Sequence, residues 1–443
     1  MLIFWQECKH ILRSKFLWVV LVLGVALSIN TVYRNLSYMG GGDMSVPYEF
    51  TEKYGTSFTE KDAEKYIKYY MTESEEGKAL VQSLQEESGL ESISPEEIIK
   101  AYHNEPTEIG NVLQKMEEEG RTEEADYVNL SYHLELLSRP LKMVEINSLD
   151  PETHNMKEWG KSWLEESGKD FPKWKQDLIL DGYDHLSERV EQIRKNGENH
   201  HMLPFLLPWY RNSEWFVFQF AGGSAMAILW VFSFVLAGII AARSLGGSLM
   251  NHIPEMVYTG KTGRRLVWRK ILSVLAVSGG AYIVLYLLIT VFYVYLFRLD
   301  LYWNVPMASL VDFDRSIIPR LALTIGGYWW FQLGIGLGAV LIMALVYAAA
   351  MVLTKSFYAG SAISVGISLF LLLLIQMMPA MRNSLLLMST PIGLYLNVGN
   401  FAQPQSFLFS ILPHFEGISL LIWGGIAAIL AALGFVRFRR AAL

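Results

Sequence analysis

Apolar residues gather in six long runs, approximately 16–32, 215–242, 271–297, 321–353, 357–381 and 418–436, separated by polar segments of very unequal length. A helix crossing a bilayer core of about 30 Å needs roughly 20 mostly apolar residues. All six runs are near or beyond that length, and the longer ones suit a helix that tilts or projects past the bilayer. Hydrocarbon offers no partner for a backbone amide, so each run predicts a helix that satisfies its own hydrogen bonds. The first run has a competing reading as a cleaved signal peptide. The long basic region before it, and its continuation through Ile29 and Val32, favour a permanent anchor. Residues 1–15 predict an interfacial helix, with Phe4, Cys8, Ile11 and Leu12 at i, i+4, i+7 and i+8 and Lys9 and Arg13 on other faces.

Residues 35–214 follow another pattern. Helix starts recur: Ser94-Pro95-Glu96-Glu97 is a capping box with proline at the first helical position, Asp150-Pro151-Glu152 repeats the arrangement, and Thr122-Glu123-Glu124 suits a third start. Gly120, Pro140, Gly168 and Gly197 read as stops. Trp174, Leu178, Leu186, Val190 and Ile193 fall near one helix face, and Trp159 and Trp163 form an i, i+4 pair. Strand-like alternation is scarce. The fold class is therefore an all-α polytopic membrane protein, with six transmembrane helices and a mainly helical extracytoplasmic domain. Its divisions are 1–34 (interfacial helix and first span), 35–214 (acidic domain) and 215–443 (five further spans with an inner loop at 243–270).

Charge sets the orientation. Residues 35–214 hold 37 of the 43 acidic residues and 19 of the 37 Lys and Arg, a net of −18, while the rest of the chain nets +12. With 52% hydrophobic and 18% charged residues the chain is not disordered, and the division excludes a single soluble globule. Cytoplasmic flanks of spans are enriched in Lys and Arg. Lys9, Arg13 and Lys15 precede the first run. Arg243, Lys261, Arg264, Arg265, Arg269 and Lys270 lie between the second and third, Lys355 between the fourth and fifth, and Arg437, Arg439 and Arg440 after the sixth. All fall on one side if both termini are cytoplasmic, which predicts a multi-pass protein of the cell membrane with its acidic domain outside. The single cysteine, Cys8, excludes an internal disulfide.

Several patterns imitate chemistry. Gly260-Lys261-Thr262 resembles the end of a phosphate-binding loop, but Glu255 stands where that motif needs glycine. Gly334 and Gly338 form a small-xxx-small face that suits close helix packing. Ser224 has no histidine within any run to serve as its base and reads as a packing residue. The histidines of the acidic segment lack the spacing of a zinc peptidase, and its carboxylate runs read as solvated helix faces. Ionisable residues are scarce in the spans, which argues against an ion-coupled transporter. Gln219, Gln332 and Gln376 read as interhelical hydrogen bonds, and Tyr328-Trp329-Trp330 as part of an aromatic belt. No catalytic residue, metal, cofactor or nucleic-acid site is expected.

The inner loop at 243–270 is basic, yet it carries Glu255-Met256-Val257-Tyr258 at its centre and Arg264-Arg265 before the third span. Membrane anchoring by Lys and Arg explains the charge but not the central apolar stretch. With an amphipathic N-terminal helix, six spans, both termini inside, and an Arg265 to Lys270 spacing followed by Ile271-Leu272, the chain resembles the permease subunits of ABC-2 type ATP-binding-cassette transporters, in the branch with a large ectodomain between the first two spans. The resemblance covers the chain outside the ectodomain, by topology more than by identity. It departs from the family pattern at Gly247-Ser248, which lacks acidic neighbours, and at Gly260-Lys261, where proline is common.

The resemblance implies an exporter subunit that is not itself an enzyme. A partner ATPase would dock on Glu255, Met256, Val257, Tyr258, Arg264 and Arg265, and a second permease copy or a similar permease would complete the membrane unit. The apolar spans contact membrane lipid and favour a hydrophobic or amphipathic cargo such as a peptide, antibiotic or lipid. The alternative is a membrane-embedded sensor or immunity protein whose ectodomain binds a peptide without transport.

Overall fold

The computed structural model describes residues 2–38, 45–146, 155–201, 223–246, 261–310, 318–354, 356–377, 389–398 and 414–441. Every regular element among them is a helix, and the only β pairing is two isolated bridges. The protein is an all-α membrane protein. Among the described residues, five helices are long and apolar enough to cross a bilayer, over Lys15–Arg34, Ile228–Gly246, Leu266–Phe297, Ile325–Thr354 and Phe415–Val436.

They belong to α2 (Lys15–Tyr38), α11 (Gly223–Ala241, extended by a π-helical turn at Ala242–Gly246), α12 (Lys261–Phe297), α14 (Ile325–Thr354) and α17 (Phe415–Ala441). The short α13 (Leu299–Tyr302) lies between α12 and α14, and a further apolar helix, α15 (Phe357–Met377), follows α14. The short α16 (Pro391–Val398) packs among the spans against α14 and α17. Helix α14 is the hub, packed by α11, α12, α15, α16 and α17. Its apolar window is 72% buried, whereas that of α17 is 22% buried and that of α2 28%. Apolar side chains on α2, α12, α15 and α17, such as Val22, Val291, Phe370 and Leu421, are left exposed, as lipid-facing helices require.

Between α2 and α11 lies the acidic helical domain. Its helices are α3 (Ser45–Tyr54), α4 (Glu60–Glu73), α5 (Glu75–Ser88), α6 (Pro95–Tyr102), α7 (Glu108–Glu118), α8 (Ala125–Ile146), α9 (Met156–Ser167) and α10 (Lys173–Asn196). The capping box forms as its sequence requires. Ser94 Oγ accepts from Glu97 N and Glu97 Oε2 accepts from Ser94 N, both at 3.2 Å. Gly120 and Gly197 adopt positive φ just beyond α7 and α10, and Gly168 caps α9. Two expectations need correction. Pro140 does not end a helix but lies inside α8, where the flanking Leu137, Leu141 and Met143 are buried and outweigh the lost backbone hydrogen bond. Trp174 is 62% exposed, off the face on which Leu186, Val190 and Ile193 are buried. The Asp150-Pro151 start lies outside the described residues.

One buried apolar cluster runs from the bundle into this domain without a break, joining Tyr293, Phe297 and Tyr302 to Phe50, Tyr66 and Ile98. Polar contacts reinforce the joint. Tyr48 Oη donates to Phe297 O (3.1 Å), Tyr302 Oη donates to Thr51 Oγ1 (3.0 Å), and Arg298 pairs with Glu52. The tail of α10 adds a second seat. Buried Arg189 forks onto the Glu198 carboxylate and also donates to Pro319 O at 3.2 Å, while Ser309 Oγ donates to Glu198 O at 2.5 Å. The acidic domain thus rests on the segment linking α12 to α14.

Candidate docking end of the bundle

The opposite end of the bundle gathers the basic flanks. Helix α1 (Leu2–Leu12) precedes α2 and lays Cys8 and Ile11 inward, leaving Trp5, Lys9 and Arg13 exposed. It packs on the start of α12, where Ser273 Oγ donates to Phe4 O at 3.4 Å. A plug of Leu245, Val267, Ile271, Ala348, Met351 and Val352, with Phe435 against it, ties the π-turn, α12, α14 and α17 together. Trp268 meets Phe435 edge-on at 6.3 Å. The first and last helices of the chain therefore reach the same end.

At the centre of this end sits Lys270. Its side chain is 8% exposed; its Nζ donates to Ser244 O at 2.9 Å and pairs with Glu7 Oε1 at 3.5 Å. Ser244 lies in the last turn of this helical segment, where carbonyls have no donor within the helix and accept from outside it. Arg243 Nε adds a bond to His10 O at 3.4 Å. Residue 246 enters the loop between α11 and α12 and residue 261 leaves it, so Lys270 and Ser244 join the two feet of that loop and Glu7 binds both to α1. Gly246 is needed there: a Cβ on it would lie 2.4 Å from the Phe357 ring.

The basic residues at the start of α12 also run against the helix dipole, since cations belong near a C-terminus and the first turn of α12 has no acid. Helix stability therefore does not account for them. Of the expected docking residues, Arg264 and Arg265 fall within the first two turns of α12. Glu255, Met256, Val257 and Tyr258 lie outside the described residues. Sequence reasoning missed Glu7, whose one visible signal was being the only acidic residue before Asp43.

Packing inside the bundle differs from the glycine pattern expected. Gly338 abuts Leu420 of α17, but a Cβ on Gly334 would meet nothing within 4 Å. The closest approach is at Gly336, where a Cβ would lie 1.8 Å from Tyr282 Oη and 2.9 Å from the Trp230 ring. The aromatic triplet also divides. Trp330 is 57% exposed, as a belt residue would be, while Tyr328 and Trp329 are each 1% exposed and form part of the core. At the domain-bearing end, Arg320 and Glu416 make a further buried ion pair, fixing the start of α17 beside the segment that enters α14.

Comparison with protein-family models, with curated proteins and with solved structures finds no match to this chain.

Proposed function

We propose that the chain is the membrane-spanning permease subunit of an ABC exporter, moving a hydrophobic or amphipathic substrate with ATP hydrolysed by a separate subunit. The observation that carries this reading is the tied pair of loop feet. A 14-residue segment with an apolar stretch, flanked by the basic ends of α11 and α12, begins and ends at two points held together by buried Lys270 and braced by α1. Force applied to such a loop passes into α11, α12 and α1 together, which is what docking of a motor subunit requires. Positive-inside sorting makes this end cytoplasmic and the acidic domain external. Helix α15 begins at this end and α17 begins at the other. The 21 residues of α15, about 31 Å as a helix, then serve as a sixth crossing. Two such chains would form the translocation unit.

The test is affinity purification of the full chain from its native membranes in mild detergent, followed by ATP-dependent substrate uptake in inverted vesicles. The expected result is a bound subunit that hydrolyses ATP and is lost when Met256, Tyr258 and Arg265 are replaced together. An intact chain with no ATPase attached and no uptake contradicts it. The domain's two seats on the α12–α14 link favour a second reading, a sensor whose spans only transmit; ligand binding without uptake would select it.

A further inference from the structure

The acidic domain and the loop feet sit at opposite ends of one helix. Helix α12 is one continuous helix of 37 residues, about 55 Å long. Lys270 near its start holds Ser244 O and Glu7. Its last residue, Phe297, takes the hydrogen bond from Tyr48, and the next, Arg298, takes Glu52. With Thr51, which receives Tyr302, these form one face of α3 at i, i+3 and i+4, so a single surface of the domain is seated on the helix's tip. Midway, Gly279 lets α12 lie against Leu337 and Leu341 of α14. The start of the helix is fastened by buried Lys270, and its tip by the buried Tyr302–Thr51 bond with the part-buried Tyr48 and the exposed Arg298–Glu52 pair beside it, so the two ends are joined through one element.

We infer that α12 is a lever coupling the acidic domain to the loop feet, so that the seating of α3 sets how firmly α1 is held at the other end. By linkage the effect is reciprocal: whatever occupies the inner loop alters the seating of α3 by the same factor. The inference goes beyond transport and holds equally for a sensor.

The chain's single cysteine supplies the readout, because Cys8 is buried on α1 beside the Lys270 junction. The full chain in lipid nanodiscs, without nucleotide, is labelled with a maleimide and the rate at Cys8 is followed. The variants are Tyr48→Phe with Glu52→Gln at the tip, Lys270→Met at the feet, and Glu105→Gln on the exposed domain surface as control. Lys270→Met is expected to speed labelling strongly. The tip variant is expected to speed it about fivefold or more, within the usual range of coupling between sites, and the control to leave it unchanged. Tip variants labelled at the wild-type rate while Lys270→Met labels fast would overturn the lever. Lys270→Met labelled at the wild-type rate would overturn the role of the junction. Should Lys270→Met fail to fold, Glu7→Gln replaces it, and hydrogen exchange of residues 45–54 reads the reverse direction. Faster exchange there in Glu7→Gln supports the coupling, and unchanged exchange overturns it.

Discussion

Six acidic residues lie outside the acidic domain, and two of them, Glu7 and Glu416, form buried ion pairs at opposite ends of the bundle. Such pairs add little net stability, because desolvation offsets the attraction. Removing one partner still costs about 3–5 kcal/mol, since the other is left charged and buried. Each pair therefore penalises any packing that separates its helices: α1 from α12 at one end, α17 from the entry to α14 at the other. Gly336 does the same by shape. Gly336→Ala drives a methyl group into Tyr282 and Trp230, and overpacking of that kind costs about 1–3 kcal/mol. Gly334→Ala meets open space and gains helix propensity. Thermal unfolding in detergent is expected to show a clearly lower midpoint for Gly336→Ala and an unchanged or slightly higher one for Gly334→Ala. Equal midpoints would remove this close approach from the account.

Among the elements, the segment just after α10 carries two groups, His201 and Glu198, that make the acidic domain sensitive to pH. Burial lowers the His201 imidazole below its ordinary 6.5, and His201 is placed by Thr56 and by the pairing of Phe58 N with His200 O. The Arg189 guanidinium holds the Glu198 carboxyl below its ordinary 4.5. Both groups take up protons more readily in the unfolded chain, so their contribution is complete above 6.5 and declines as pH falls. The share from His201 goes first, from 6.5 down through its lowered value, and that from Glu198 follows below 4.5. Hydrogen exchange of residues 189–201, corrected for intrinsic rates, is expected to show constant protection above pH 7 and a two-stage loss on acidification. Protection that rises between pH 7 and pH 5 would contradict the assignment. The two seats of the domain were not legible in the sequence, because Arg189 and Pro319, or Tyr48 and Phe297, are far apart in the chain and carry no shared pattern. Cap chemistry was legible at Ser94 and Gly197, where the signal lies within four residues, and misled at Pro140, where tertiary burial outweighed a local rule.

At the scale of the whole molecule, hydropathy alone found the long helices, since composition over about 20 residues decides membrane partition whatever the neighbours are. It did not find which faces meet. The aromatic triplet of α14 reads as a belt, yet two of its three members are core residues because α14 is surrounded by other helices. Of the docking end, the basic charge was readable and the junction of Glu7, Ser244 and Lys270 was not, since three separate elements build it. What unites the account is the sorting of charge between two ends of one bundle, and labelling from the two sides of the membrane tests it most directly. With Cys8 replaced by serine, one cysteine is placed at Lys9 and, in a second variant, at Glu123, both exposed positions. An impermeant maleimide is expected to label position 123 on intact cells and position 9 only after permeabilisation. Labelling of both positions from the same side would contradict the account.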